Sequence, residues 1–549
     1  MGFHLLDPFV PFSRVRAVRR PYAGQGRPGR FTRPSQAAGL ASALELCREE
    51  RFVRRLLVLL ASLLALAAWT TIPVASAAPP TDTSELQEAV TAQGILEHLQ
   101  ALQAIADANG GTRASGTPGY DASVDYVVSR LEAAGYEVTI QEFEFPFFQA
   151  LSPGELERVS PDSEVYTAEA DFFTMEYSGS GDVTAPIQAT NDVVIPPGAE
   201  AGTSNSGCED ADFAGFVEGN IALIQRGTCT FEEKIQNAIE AGASAVIIFN
   251  EGQEGRTDAF IGTLGRPFDI PVVFTSFAVG EELYDLSLEG EVIVRVATET
   301  VSEIRTTSNV IAELPGERDD RVVVVGAHLD SVSEGPGIND NGSGSSMTLE
   351  IAEEMAAAGI EPTNTVRFIW FGAEEAGLLG SEYYVSQLTK RERKDIAVML
   401  NFDMVGSPNY VRFVYDADAG PAGSGNVEDV FLDYFASVGL PVEPTPFDGR
   451  SDYGPFIAVG IPAGGLFTGA EEIKTEEQEA IYGGMAGIAY DPCYHQACDT
   501  IENVNLEVLD QMADAAAHAV MTFAMTTSAV GGTAQGHAYG HFKGPYARM

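Results

Sequence analysis

The stretch VVVVGAHLDSVSEGPGINDNGSG, residues 322–344, decides the fold. Its short run of β-branched residues is typical of a buried strand, and the residues after the loop, 346–358, have helical spacing. Such a strand would deliver His328 and Asp330 to its carboxyl end, and the loop would then bring in Asp340. Ligands of α/β sheets bind at the carboxyl ends of parallel strands. The stretch therefore predicts an α/β domain with a polar site at one sheet edge.

Two further apolar runs end in acids. The run VRFIWFGAEEAGLLGS, residues 366–381, ends in the adjacent carboxylates Glu374 and Glu375, and IAVMLNFDMVG, residues 396–406, ends in Asp403. Adjacent carboxylates repel one another in apolar surroundings, and a buried acid is costly unless it is paired or binds metal. A divalent cation bound by Glu375 would remove the repulsion and leave Glu374 as a general base; an acid-rich helix start is the structural alternative.

A fourth motif, YDPCYHQACDT, places Tyr494 and His495 in a short loop between Cys493 and Cys498. Two imidazoles among the donors suit zinc better than calcium or magnesium. The predicted metal ligands are His328, Asp340, Glu375, Asp403 and His495. Asp330 lies two residues after His328, so we expect its carboxylate to orient that imidazole.

The order of these motifs resembles the M28 family of zinc aminopeptidases, close to the secreted enzymes of actinomycetes. The resemblance covers about residues 94–150 and 308–526. It implies a three-layer, phosphorylase/hydrolase-like α/β exopeptidase domain with a mixed, mostly parallel central sheet. It also implies two zinc ions per chain, one held by His328 and Asp403 and the other by Glu375 and His495, with Asp340 bridging them.

The resemblance assigns further roles. Tyr494 would stabilise charge on the carbonyl oxygen, with a packing tyrosine as the alternative. Met404 and Phe467 would line the pocket for the first side chain, although both could be core residues, and Arg450 would lie near the substrate amine. Two acids at helical spacing would bind a stabilising calcium ion or simply form a solvated helix face: Asp510 and Asp514.

The pattern of predicted secondary structure changes between residues 181 and 300. Short strands and Gly, Pro and Asn turns dominate there, and RGTCTFEEKIQNAIEAGASAVIIFN, residues 226–250, resembles a protease-associated (PA) domain. We therefore predict a β-rich PA insert within the peptidase domain. The predicted organisation is a leader with signal peptide at 1–77, the peptidase domain at 78–180 and 301–527, the PA domain at 181–300, and a flexible tail at 528–549.

The amino-terminal end predicts export. Three arginines precede an apolar run at residues 56–69, and Ala-Ser-Ala at 75–77 resembles a signal-peptidase site. The run has 14 residues, fewer than the roughly 20 needed to span a bilayer, so a retained anchor is the weaker alternative. Removing the leader leaves an even set of cysteines, for which we predict two local disulfides, Cys208 with Cys229 and Cys493 with Cys498. We expect a secreted protein with no stable membrane insertion after cleavage.

The formal net charge of −47 argues against nucleic acid as a partner and favours cationic peptide ends. The resemblance to zinc aminopeptidases implies an enzyme that acts on peptide or protein N-termini, and we expect it to be a monomer. The alternatives are a zinc carboxypeptidase or glutaminyl cyclase of the same superfamily, and a non-catalytic binding ectodomain with PA and peptidase-like domains.

Overall fold

Runs of buried aliphatic residues build two separate sheets in the computed structural model, which describes residues 81–417 and 420–525. The predicted leader (1–77) and tail (528–549) lie outside the described residues. The strands are β1 Val138–Ala150, β2 Glu155–Ser160, β3 Glu164–Tyr166, β4 Phe172–Thr174, β5 Gly181–Ala189, β6 Ile221–Gln225, β7 Ala245–Phe249, β8 Val272–Thr275, β9 Ile293–Thr298, β10 Thr300–Leu314, β11 Arg318–His328, β12 Asn364–Phe371, β13 Ile396–Phe402, β14 Phe413–Tyr415, β15 Glu443–Thr445 and β16 Ala463–Phe467. The α-helices are α1 Ser84–Ala89, α2 Ala92–Ala108, α3 Pro118–Ala134, α4 Phe231–Glu240, α5 Phe277–Glu289, α6 Gly342–Ala357, α7 Leu379–Gln387, α8 Glu392–Asp395, α9 Ser424–Val438, α10 Tyr453–Ala458, α11 Glu476–Tyr482 and α12 Leu506–Met525.

The first sheet has eight strands in the order β1-β10-β12-β11-β13-β16-β14-β15. Its centre is parallel, because β11 pairs in parallel with both β12 and β13, and β13 pairs in parallel with β16. Strands β1 and β10 add an antiparallel edge. This topology confirms the predicted mixed, mostly parallel sheet.

Helices cover both faces of the first sheet. Along β11, Val323 and Val325 belong to the core under α1, α2, α3, α6, α9 and α12. Val322 and Val324 point the other way, into the core under α7 and α10. Successive strand residues face opposite sides, so a run of valines serves two cores. The domain therefore has the predicted three layers.

Helix ends follow local chemistry. Helices α1 and α2 are separate, because Thr91 between them is extended and its side chain accepts a hydrogen bond from Gly94 N. Helix α3 ends at Gly135, whose φ of 95° is left-handed and suits glycine. Within the described ranges, the helices are too short or too polar to cross a membrane.

The second sheet has the order β3-β2-β9-β5-β6-β7-β8-β4, with β5 to β8 parallel and the other neighbours antiparallel. Strands β2, β3 and β4 belong to it although they precede residue 181, where the sequence analysis began this domain. Strand β2 alternates polar and apolar residues as the end of β1 does, so the change from one sheet to the other leaves no compositional signal there. Both predicted disulfides form, Cys208–Cys229 and Cys493–Cys498.

Candidate metal centre

The carboxyl ends of three neighbouring parallel strands converge on one site. His328 is the last residue of β11, Glu374 and Glu375 follow β12, and Asp403 follows β13. The main chain has left-handed φ values at Ala373, Met404 and His495, which are uncommon for residues other than glycine. Such conformations cluster at functional sites, where they aim side chains that regular strands would point elsewhere.

Asp340 stands between two groups of donors. Its Oδ1 lies 3.3 Å from His328 Nε2, which is itself 3.4 Å from Asp403 Oδ1. Its Oδ2 lies 3.3 Å from His495 Nε2, which is 3.1 Å from Glu375 Oε2. One carboxylate thus serves two separate imidazole and carboxylate pairs, and all five predicted ligands are brought together.

The donor set fits transition-metal cations. Ligand atoms that share a tetrahedral zinc at about 2.0–2.1 Å lie about 3.3–3.4 Å from one another, and the distances in both groups are close to this value. Glu375 Oε1 and Asp403 Oδ1 are buried without a hydrogen-bond partner among the described residues. Buried carboxylate oxygens without partners are costly unless a cation offsets their charge.

Charge accumulation perturbs the titration of these groups. Burial lowers the pKa of His328, but neighbouring carboxylates, led by Glu374, outweigh it and raise that pKa well above its usual value. Burial likewise opposes the carboxylates around His495, where Asp340 and Glu375 raise the imidazole pKa to about 10. Burial and repulsion by Asp340 raise the pKa of Glu375 to about 7. The raised pKa values mean that the site favours added positive charge, which a bound metal cation would supply.

Asp330 lies against the imidazole of His328 with both its main-chain oxygen and its carboxylate. The imidazole Nδ1 lies 3.1 Å from the Asp330 main-chain oxygen but 3.7 Å from its carboxylate Oδ1. Strand β11 ends at His328. The strand alternation that would place the side chains of His328 and Asp330 on the same side therefore does not extend to Asp330. The Asp330 carboxylate instead accepts a hydrogen bond from Glu374 N and so positions the residue predicted as the base.

Comparison with known proteins agrees with this site. Residues 309–520 match the model of Peptidase family M28 and residues 189–283 match the PA domain. The chain is similar to an aminopeptidase of Pseudomonas aeruginosa, at 47% identity over 81% of this chain and 83% of that protein. The chain belongs to peptidase family M28. It is also similar to a probable leucine aminopeptidase 2 of Aspergillus oryzae, at 40% identity over 81% of this chain and 87% of that protein.

Among solved structures, BSAP, a zinc aminopeptidase from Bacillus subtilis, is 27% identical with a TM-score of 0.51, covering 78% of this chain and 94% of that one. The present chain is an aminopeptidase, so the carboxypeptidase, cyclase and binding-protein alternatives are set aside. The matches confirm the M28 and PA assignments. The specific resemblance to actinomycete enzymes stays a prediction.

The predicted metal ligands of this M28 aminopeptidase face a cavity of about 320 Å³. Met404 and Phe467, predicted to line the first side-chain pocket, both lie on its wall, and Phe467 stacks on Tyr415 with ring centroids 6.4 Å apart. Arg450 also lines the cavity, but its Nη2 pairs with Glu471 Oε1 at 3.0 Å and its side chain is 58% exposed. The pocket therefore has an aromatic wall and a charged rim.

Tyr494 lies on the cavity wall beside the ligand loop. Its ring stacks on His495 with centroids 3.8 Å apart, and it is half-buried rather than packed in a core. Burial and the nearby carboxylates of Asp340 and Glu375 raise the pKa of the phenol. The hydroxyl therefore keeps its proton and can donate it in a hydrogen bond.

The sequence analysis missed the residues that hold Asp340 in place. Asp499 accepts hydrogen bonds from Asn339 N and Asp340 N, both at 2.9 Å, and Asp491 accepts one from Asn339 Nδ2 at 2.6 Å. These acids lie on either side of the loop closed by Cys493–Cys498. Their hydrogen bonds therefore connect the loop that carries His495 to the segment that carries Asp340. The two acids on either side of a short disulfide loop can be seen in the sequence. Their hydrogen-bond partners cannot, because they lie about 150 residues away along the chain.

Arg113 was also missed. It is fully buried and donates to the main-chain oxygens of Leu329, Pro336 and Gly337, so it fastens the loop between His328 and Asp340. Burial lowers its pKa to about 10, and the nearby carboxylates partly oppose that effect. The guanidinium stays charged at neutral pH and adds a positive charge beneath the site.

Asp510 and Asp514 lie on α12, away from the metal ligands. Asp510 Oδ1 accepts a hydrogen bond from Ala92 N at the start of α2. Burial and repulsion by Asp510 raise the pKa of Asp514 to about 6. A calcium ion at this place stays a prediction.

Proposed function

We propose that the chain is a secreted di-zinc aminopeptidase that removes large apolar residues from peptide N-termini. One zinc would be held by His328 and Asp403, the other by Glu375 and His495, with Asp340 shared. The single observation that carries this proposal is that each oxygen of Asp340 faces a different imidazole at 3.3 Å.

Two zinc ions bound there would act as Lewis acids that lower the pKa of water and polarise the scissile carbonyl. Glu374 is assigned the role of general base. Its carboxylate lies beside the ligands, with Oε2 3.9 Å from His328 Nε2, and its main chain is held by Asp330. It would take the proton of the attacking water and return it to the leaving amine, as one carboxylate can do in successive steps.

Tyr494 is assigned to the carbonyl oxygen, where negative charge develops during attack. Its protonated phenol lines the cavity next to His495. A fixed donor aimed at the developing charge lowers the barrier because it needs no reorganisation during the reaction.

The preference for an N-terminal residue rests on charge and shape together. Glu374, Asp403 and Glu472 line the same cavity and would attract an ammonium group, and Arg450, which also lines the cavity, would lie near that amine. Met404 and the aromatic wall at Phe467 would accept a Leu, Met or Phe side chain. The name of the Aspergillus oryzae relative, a probable leucine aminopeptidase, supports this preference.

Secretion is proposed from the leader and the two disulfides, which persist in oxidising compartments. The proposed peptidase domain is at residues 78–180 and 301–527 and the proposed PA domain at 181–300; strands β2 to β4 fall within the first of these ranges but pair with the second sheet. The proposed enzyme is a monomer.

The test is an assay of the purified protein on leucine p-nitroanilide, before and after chelation and again after adding zinc. We expect activity to be lost with the chelator and restored by zinc, with alanine and glutamate p-nitroanilides hydrolysed more slowly. An N-blocked peptide with a free carboxyl end serves as the control and should remain intact. Full activity in the chelated protein, or cleavage of the blocked peptide alone, would contradict the proposal.

A further inference from the structure

A second group of metal-type donors lies in the helical layer, outside the aminopeptidase site. His98 on α2 faces Glu350 and Glu353 on α6, with His98 Nε2 3.4 Å from Glu350 Oε2 and 3.9 Å from Glu353 Oε2. The three residues form a potential metal-binding group within the described chain. None of them lines the substrate cavity.

The imidazole is buried and aimed into this group. Only 1% of the His98 surface is exposed, and Nε2 has no hydrogen-bond partner among the described residues. Its other nitrogen, Nδ1, lies 2.8 Å from Tyr126 Oη. When Nδ1 donates its hydrogen to that hydroxyl oxygen, the ring is held and Nε2 keeps its lone pair, as in metal-binding histidines whose second nitrogen is fixed by an outer partner.

The backbone of α2 leaves room for the carboxylate. A Cβ placed on Gly94, one turn before His98, would overlap the carboxylate of Glu350. Glycine in a helix costs up to about 1 kcal/mol relative to alanine. The close approach of Glu350 to the helix therefore depends on a residue that helix propensity alone disfavours.

The charges in the group do not balance. Arg130 pairs with Glu353 through two hydrogen bonds of 2.6 and 2.5 Å, which leaves Glu350 facing the His98 imidazole without an arginine or lysine partner of its own among the described ion pairs. Glu354 adds a third acid on the same helix, and burial together with repulsion by Glu350 and Glu353 raises its pKa. A divalent cation between His98 and the two carboxylates would offset this excess.

We propose that His98, Glu350 and Glu353 bind one divalent transition-metal cation of the zinc type, separate from the catalytic pair. One imidazole and two carboxylates make a borderline donor set that zinc accepts readily. The side chain of Glu353 is 16% exposed, so the site has an open side for entry of the ion and for water as a further ligand. The ion would join α2 to α6, the helix that begins two residues after Asp340.

The test compares the metal content of three proteins after equilibration with zinc and gel filtration: wild type, Glu350→Gln and Glu354→Gln. Glu354→Gln is the matched control because it removes the same charge from the same helix without touching the donor group. We expect Glu350→Gln to hold one zinc per chain fewer than wild type and Glu354→Gln to match wild type. The kcat on leucine p-nitroanilide should stay within about twofold in both variants, because neither residue touches the substrate site.

A difference in metal content does not depend on how many ions the catalytic centre holds, so this proposal can fail while the proposed function stands, and the reverse. Equal zinc content in wild type and Glu350→Gln would overturn it. If Glu350→Gln does not fold, His98→Gln replaces it. Wild type should also gain several degrees in Tm as zinc is added beyond saturation of catalysis; a Tm unchanged up to millimolar zinc would equally overturn the proposal.

Discussion

The amide and carboxylate side chains at the strand ends of the two sheets differ in how completely they are paired. In the PA sheet, Gln225 exchanges hydrogen bonds with both main-chain groups of Val194, and Glu251 pairs with Arg256 at 2.6 Å. In the peptidase sheet, Glu375 and Asp403 each leave a buried carboxylate oxygen without a hydrogen-bond partner among the described residues. Buried polar groups satisfied within the chain are structural, whereas converging unsatisfied ones indicate a ligand.

The largest effect should come from Glu374→Gln in the peptidase sheet. Because the amide cannot accept a proton, we expect kcat to fall by about 10²–10⁴-fold, the usual contribution of general base catalysis. Zinc content should be unchanged, since Glu374 is not a proposed ligand. Steady-state kinetics and elemental analysis of the same sample test this, and near wild-type kcat would remove Glu374 as the base.

His495→Ala should weaken metal binding rather than turnover alone. Losing an outer-shell partner costs about 10–100-fold in metal affinity, so losing a direct ligand should cost more. Competition with a chelator measures the zinc Kd, and Gln496→Ala, the next exposed residue of the same loop, is the control. Equal chelator sensitivity in the two variants would argue against His495 as a ligand.

Zinc binding to the metal-free protein should release protons. The pKa of His495 is raised to about 10 and that of Glu375 to about 7, so at pH 7 the imidazole and part of the carboxyl population carry protons that the metal must displace. Affinity should therefore fall with falling pH, by about tenfold per unit for each proton displaced. Calorimetry in two buffers of different ionisation heat counts these protons, and a count of zero would contradict the proposed ligands.

Glu251→Gln in the PA sheet should have the opposite signature to Glu374→Gln. It weakens a buried hydrogen bond to a charged partner, so we expect a loss of about 1–3 kcal/mol in the free energy of unfolding. The kcat should be unchanged, because Glu251 lies in the PA sheet and does not line the substrate cavity. Urea unfolding measures the free energy of unfolding, and steady-state kinetics on the same sample measures kcat. A large loss of kcat would contradict the view that Glu251 has only a structural role.

The sequence predicted which donor side chains converge at this site, because each follows a recognisable local pattern. His328, Glu375 and Asp403 come at or just after apolar strands, and parallel strands bring such positions to one edge. His495 was marked by its disulfide loop. The mixed sheet and the three layers, which the resemblance to the M28 family implied, and the two predicted disulfide pairings were also confirmed.

What the sequence did not predict depends on contacts between distant segments. Arg113 donates hydrogen bonds to main-chain oxygens more than 200 residues away. Because every residue has a main-chain oxygen, such partners cannot be recognised from residue type. The pairing of His98 with Glu350 requires α2 and α6 to pack at one register, which no local pattern encodes. Asp330 was predicted correctly as a neighbour of His328, but its contact depended on where β11 ends.

The most direct test of the di-zinc centre is anomalous diffraction at the zinc edge from crystals of the active protein. We predict two peaks about 3.5–4 Å apart on either side of the Asp340 carboxylate, one beside His328 and Asp403 and the other beside His495 and Glu375. A single peak at this place, or none in protein that hydrolyses leucine p-nitroanilide, would contradict the account.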